Sequence, residues 1–230
     1  MKRFYKYATV VETELGFHVA LDGRAIKSQG GQPQVVPSRK LADLMAAEWQ
    51  DQGEEIDPAH FVLRDMVDYA IDVLPTARNE TIDKLLRYAE TDTLCYRADP
   101  DEPLWRRQME VWEPLLAAFE AREGVRMERV SGIIHRPQPH ETLTKLRKKL
   151  ESLDDLTLAA LEPLASLAAS LSLALSTLEP DADGEALWDA ANLEEDWQVE
   201  HWGDDSEAAF RRTRRKASFL AAMGLAHAVR

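Results

Sequence analysis

Cysteine is almost missing from this chain of 230 residues: Cys95 stands alone. A single thiol excludes an internal disulfide framework and a thiolate metal site, and it fits a reducing compartment. Cys95 reads first as a small buried apolar residue, with a nucleophile as the sharper alternative. Long apolar runs are missing too. The longest, Leu164 to Leu178, has 15 residues and four serines; a bilayer-spanning helix needs roughly 20 apolar residues. It reads as a buried helix, and no membrane insertion is expected. The opening MKRFYKYATVV lacks the apolar core and small-residue cleavage site of a secretory signal. Positive charge is in deficit, with 28 Lys and Arg against 41 Asp and Glu, a net charge of −13. Nucleic acid and anionic membrane are therefore poor partners, because both are repelled on average.

The usual signatures of catalysis are absent as well. There is no GxxxxGK[ST] loop for ATP or GTP, and Gly30-Gly31 lacks the spacing and βαβ context of a dinucleotide fingerprint. No GxSxG elbow occurs, and no two of the six histidines stand at i, i+4. No catalytic residue, cofactor or metal is expected.

What is present changes character along the chain. Residues 4 to 36 mix aromatic and β-branched residues in short runs, Tyr5 to Val11 and Phe17 to Leu21, with a last short run at Gln34 to Val36. Asp22-Gly23 is a two-residue hairpin signal, since both central residues of a type I′ turn need positive φ. The expectation is a meander of about four short strands. Ser38 then caps a helix whose face is Leu41, Leu44, Met45 and Trp49, closed by Gly53 at its C′ position. A second amphipathic segment, Leu63 to Leu74, is stopped by Pro75. Beyond it, helical periodicity covers residues 78–94, 103–123, 141–151, 155–178 and 183–229, and only Val125 to His135 reads as extended. The expected class is α+β: a small N-terminal β-meander/α domain over residues 1–75, then a larger all-helical domain over residues 76–230.

The most distinctive stretch is Asn192 to Asp205, NLEEDWQVEHWGDD. From Asp181 to Phe210 there are eleven acidic residues and no Lys or Arg, followed by RRTRRK. On a helix, Glu195, Gln198 and Trp202 share one stripe, while Leu193, Trp197 and Glu200 make a second stripe turned away. One reading makes the aromatics packing residues of an amphipathic helix. The other makes the first stripe a protein-binding face, with Trp202 as anchor. A shared catalytic cleft is disfavoured, because Glu195 and Glu200 lie on different faces. The Arg211 to Lys216 cluster reads as a solubilising face paired with acids one turn back, Glu207 with Arg211 among them.

Taken in order, several stretches resemble one known family. They are RFYK from Arg3, LDGR from Leu21, LADLMAAEWQDQ ending at Gln52, and Asp65 to Asp72. YAETDTLCYRA from Tyr88, Gln108 with VWEP from Val111, and EEDWQVEHWGDD follow. Together they resemble the ATP synthase assembly factor family whose members chaperone the α subunit of the catalytic head. The sequence departs from the family pattern where Ser28-Gln29 replaces Thr-Pro, where His60-Phe61-Val62 replaces a Met-Pro-Leu type segment, and where Ala169-Ser170 replaces Gly-Ser. The resemblance implies a two-domain fold and a non-enzymatic, ATP-independent chaperone that holds the free α subunit soluble until the β subunit arrives. It also implies a client-binding role for Glu195, Gln198, Glu200 and Trp202, and a monomer when free. Because the chain opens on the family's first motif, a bacterial cytoplasmic member is expected, with mitochondrial-matrix counterparts. The rival expectation is a small-molecule enzyme using an acidic cleft in the helical domain.

Overall fold

The computed structural model describes residues 1–132, 135–203 and 206–229. Ile133 and Ile134 of the expected extended stretch lie outside the described residues, as do Asp204 and Asp205 of the acidic motif. The architecture is α+β, a small meander followed mostly by helix.

Strands β1 (Ala8–Thr13), β2 (Gly16–Leu21) and β3 (Arg24–Ala25) form one antiparallel sheet in the order β1-β2-β3. The β2–β3 turn has φ of 48° at Asp22 and 82° at Gly23, the double positive φ that the dipeptide signals. The first strand begins at Ala8 rather than Tyr5. The Asp22 carboxylate takes the N–H groups of Lys6 and Tyr7, and the Tyr5 hydroxyl donates to the Trp49 carbonyl at 2.6 Å. The expected fourth strand is a single bridge, in which Phe17 and Val36 exchange bonds of 2.9 and 2.8 Å. Pro33 and Pro37 flank it, and without N–H donors they cannot lengthen a ladder.

Helix α1 (Arg39–Gln50) starts where Ser38 Oγ accepts the Leu41 N–H at 3.0 Å. It buries Leu41, Ala42, Met45, Ala46 and Trp49, whereas Leu44, expected on that face, is 38% exposed. Gly53 does not cap it. The cap is Asp51 in a right-handed conformation, and the Arg3 guanidinium donates to the Gln50 and Gln52 carbonyls at 3.1 and 2.6 Å. Trp49 lies between Tyr5 and Phe61, with ring centroids at 5.6 and 4.4 Å. Helix α2 (Val62–Asp72) follows and ends just before Pro75, which stands second in α3 (Leu74–Glu90), a span kinked at Ala77, whose φ of −118° and ψ of 18° are not helical. In a first turn the missing proline N–H costs nothing.

Further along come β4 (Tyr96–Arg97), α4 (Pro103–Glu123), β5 (Val130–Ser131), α5 (His140–Glu151), α6 (Asp155–Ala168) and α7 (Leu171–Ser176). Gly124, at φ 64°, ends α4, and β5 pairs in parallel with β4. The helix expected over residues 155–178 is broken at Ala169, whose φ is 48°. Ser170 then caps α7, and the fully buried Asp92 accepts its hydroxyl and the Ser172 N–H, both at 2.8 Å. The helix expected over residues 183–229 is three: α8 (Gly184–Ala191), α9 (Leu193–Trp202) and α10 (Ser206–Val229).

By packing, the chain forms two compact units. One comprises Met1–Arg78 with Asp154–Ala160 and the chain from Ala221; the other comprises Asn79–Leu153 and Leu161–Leu220. The first has Val19, Val36, Leu41, Met45 and Val67 at its centre, all essentially inaccessible. The second buries Trp112, Leu116, Phe119, Leu164, Trp188 and Phe219. Cys95 is fully buried there, and burial pushes its thiol far above the ordinary range. Among the described residues no helix is long and apolar enough to cross a membrane.

Candidate functional site

The acidic motif forms α9, and local chemistry explains its limits. Asp183 caps the preceding α8 by accepting the Glu185 and Ala186 N–H groups at 3.0 and 3.1 Å. Asn192 ends α8, its side-chain amide donating to the Trp188 carbonyl at 2.8 Å, and so separates it from α9. Glu194, Glu195 and Asp196 occupy the first turn of α9, where negative charge suits the positive end of the helix dipole. Gly203, at φ 90°, ends the helix.

Four contacts within the second unit hold α9 in place. Leu193 is buried at its base. The fully buried Gln108 donates to Glu194 Oε1 at 2.7 Å and accepts the Ala98 N–H at 2.9 Å, fixing its amide orientation. Arg107 Nη1 donates to Glu200 Oε2 at 2.5 Å, and that bond holds the Glu200 carboxyl below its usual range. On α10, Arg212 pairs with Asp196, which holds the guanidinium more firmly charged; Glu195 adds to the effect through space.

The first stripe of α9 and the start of α10 bound an open groove of about 550 Å³. Glu195, Gln198 and Trp202 line it from α9, with Val199 between them. Ala208, Ala209 and Arg212 line it from α10. Trp202, the last residue of α9, is 78% exposed. Among the described residues the walls are largely apolar, with one carboxylate and one guanidinium. Glu200 lies away from this groove, on the Arg107 side, where the Arg107 guanidinium also sits 5.8 Å from the Trp197 ring centroid. Trp197 stacks obliquely on His201 at 4.3 Å.

The sequence reading brought Glu195, Gln198 and Trp202 together by helical spacing but missed α10 as the second wall. Arg212 carries no local signal of that role, since it sits in a basic run two of whose other members pair elsewhere: Arg211 with Glu207 at 2.5 Å and Lys216 with Glu185 at 2.7 Å. Among the described residues, no group of three or more His, Cys, Asp or Glu side chains is placed to hold a metal ion.

Comparison with known proteins gives a consistent result. The family model described as ATP12 chaperone protein matches residues 2–120. Protein atp12, mitochondrial, of Schizosaccharomyces pombe is 29% identical over 219 residues, which span 90% of this chain and 75% of that protein. The crystal structure of Atp12 from Paracoccus denitrificans superposes with a TM-score of 0.91 at 33% identity, covering 100% of this chain and 98% of that one. A candidate chaperone from Agrobacterium tumefaciens superposes with a TM-score of 0.94 at 37% identity, covering 100% of this chain and 86% of that one.

Proposed function

The chain belongs to the ATP12 chaperone protein family, and from that premise we propose that it is an ATP-independent chaperone of ATP synthase assembly. Its client is the unassembled α subunit of the catalytic head, held by the α9–α10 groove. It works as a monomer in the bacterial cytoplasm. An α subunit without its neighbour exposes apolar surface meant for the β subunit, and such surface aggregates unless covered. A holder without an ATPase leaves by exchange, so its affinity lies below that of the final partner.

The observation that carries this reading is Trp202, 78% exposed at the end of α9 and lining the groove with Glu195 and Gln198. A large aromatic flanked by polar groups at the edge of a groove is a typical interface anchor. The acids of α9 favour binding over catalysis. Among the described residues lining the groove, Glu195 is the one carboxylate, so no acid–base pair of carboxylates meets there. Asp196 and Glu200 are committed to Arg212 and Arg107.

The test is light scattering of purified α subunit during refolding, without nucleotide, at equal concentrations of this protein. Wild type is expected to suppress scattering. Glu195→Lys changes a part-exposed side chain whose charge favours Arg212, so thermal melting sets the folded concentration, at which it is expected to lose protection by placing a cation in the groove beside Arg212. Trp202→Ala is expected to do the same by removing the anchor. Scattering unchanged by wild type would overturn the client assignment. Full protection by a normally folded Glu195→Lys protein would remove this groove from the interface.

A further inference from the structure

A second groove, of about 610 Å³, lies entirely within the N-terminal unit. Phe4 and Tyr5 form one side, the β2–β3 hairpin from Leu21 to Lys27 the other, and Trp49 contributes to the wall. Phe4 is 64% exposed and meets Tyr5 edge-on at 5.3 Å, so an aromatic face stands open. We propose that this groove is a docking site for an extended segment of a partner protein, one that sets an apolar side chain beside a carboxylate.

Backbone geometry makes the segment extended. β3 is the last strand of its sheet. Its register pairs Leu21 with Arg24 and Ala20 with Ala25, and the Ile26 N–H donates to the Val19 carbonyl at 3.0 Å. In an antiparallel ladder the residues bonded inward alternate with residues whose N–H and C=O point outward. Ala25 is the outward residue. It is exposed and lines the groove. An open edge of this kind accepts main-chain bonds from an added strand, while the adjoining pocket takes a side chain.

Charge makes the segment acidic. Arg24 and Lys27 line the groove, are exposed, and make no ion pair among the described residues. The groove's own acid, Asp22, offsets only one of them: its carboxylate, held ionised by the Tyr7 and Lys6 N–H groups at 2.9 and 3.0 Å, faces two cations in the same lining. The first 40 residues carry seven Lys and Arg against three Asp and Glu, in a chain whose net charge is −13. A positive patch on so acidic a protein selects a partner of opposite charge and rejects others.

The experiment uses the full-length protein and a blocked, fluorescein-labelled hexapeptide alternating glutamate and valine around a central phenylalanine. A control peptide replaces each glutamate by lysine. Anisotropy is expected to saturate with the acidic peptide and not with the control. Combined Arg24→Glu and Lys27→Glu substitution is expected to weaken binding about tenfold or more, with the melting temperature unchanged because both side chains are exposed. Arg24→Gln alone, which removes a charge without reversing it, is expected to give an intermediate loss. Bound peptide is also expected to slow hydrogen exchange at the Ala25 amide. Absence of saturation up to millimolar peptide would overturn the proposal, as would equal affinity for the doubly reversed variant. Self-association of the wild type, abolished by the double reversal, would overturn it in favour of a second copy of this chain. The proposal is independent of the α9–α10 reading. A doubly reversed variant that still protects the α subunit leaves that reading untouched, and a Glu195→Lys variant that still binds peptide leaves this one untouched.

Discussion

The amide of Gly30 donates to Asp72 Oδ2 at 2.7 Å, and a β-carbon on residue 30 would lie 2.7 Å from the carboxylate carbon of the same Asp72. The loop after the meander is thus laid directly on the α2 carboxylates. Ser28 Oγ donates to Asp72 Oδ1 at 2.6 Å, and the Gln29 N–H donates to Asp68 Oδ2 at 3.2 Å.

Gly30→Ala is therefore expected to destabilise the N-terminal unit by about 2 kcal/mol, because Asp72 must turn away and surrender bonds from Ser28 and residue 30. Gly23→Ala supplies the contrast. Nothing lies within 4 Å of a β-carbon there, but its φ of 82° leaves a conformational penalty of about 1 kcal/mol. Urea denaturation of both variants measures the difference. Equal losses would show that Asp72 accommodates the methyl group.

Ala169→Gly should stabilise the protein by up to about 1 kcal/mol, since Ala169 holds a left-handed φ of 48° that glycine adopts without cost. The side chain is exposed, so its loss leaves no cavity. A higher urea midpoint with unchanged slope is the expected result. A lower midpoint would mean that the added freedom of the unfolded chain outweighs the relieved strain.

Asp92 links stability to pH. Burial pushes its carboxyl up from 3.8 to about 6, against the opposing pull of bonds from Ser172 and Ser170. Between these two values the folded chain holds more protons than the unfolded one. This contribution is fully favourable below about pH 4 and is lost as pH rises through about 6, a change on the order of 3 kcal/mol. Stability of wild type measured from pH 4 to 7 should fall relative to Asp92→Asn, which has no proton to lose. Parallel profiles would place the Asp92 pKa near its unfolded value.

Trp49→Ala is expected to be a lesion of folding, costing ~3–5 kcal/mol as for other buried tryptophans. The indole is 9% exposed and separates the Tyr5 and Phe61 rings. Thermal melting, followed by α-subunit protection at equal folded concentration, checks it. A variant that melts like wild type yet fails to protect would place Trp49 in an interface.

What the sequence made legible, and what it hid, follows from how local each cause is. Asp22-Gly23 and Ser38 act on their own neighbours, and both perform as their chemistry dictates. The helix over residues 103–123 is bounded by Pro103 and by Gly124 in a left-handed conformation, again local signals. The break at Ala169 is not local. Alanine is the best helix former, and the chain turns there because Asp92, 78 residues from Ser170 in sequence, supplies the acceptor that starts a new helix. The end of α1 is likewise set from afar, since Arg3 takes the carbonyl of its last residue, Gln50, and that of Gln52 beyond the cap. In the candidate site, the stripe of Glu195, Gln198 and Trp202 followed from a 3.6-residue period. Its second wall did not, because residue spacing within α9 carries no information about which helix packs beside it.

The solitary, wholly buried Cys95 gives the protein a built-in clock. With no other thiol in the chain and this one inaccessible in the folded state, a thiol-reactive dye can label the molecule only after the helical unit opens. When labelling outpaces reclosing, its rate equals the opening rate. Kinetic stability of the purified protein can then be followed with no engineered probe.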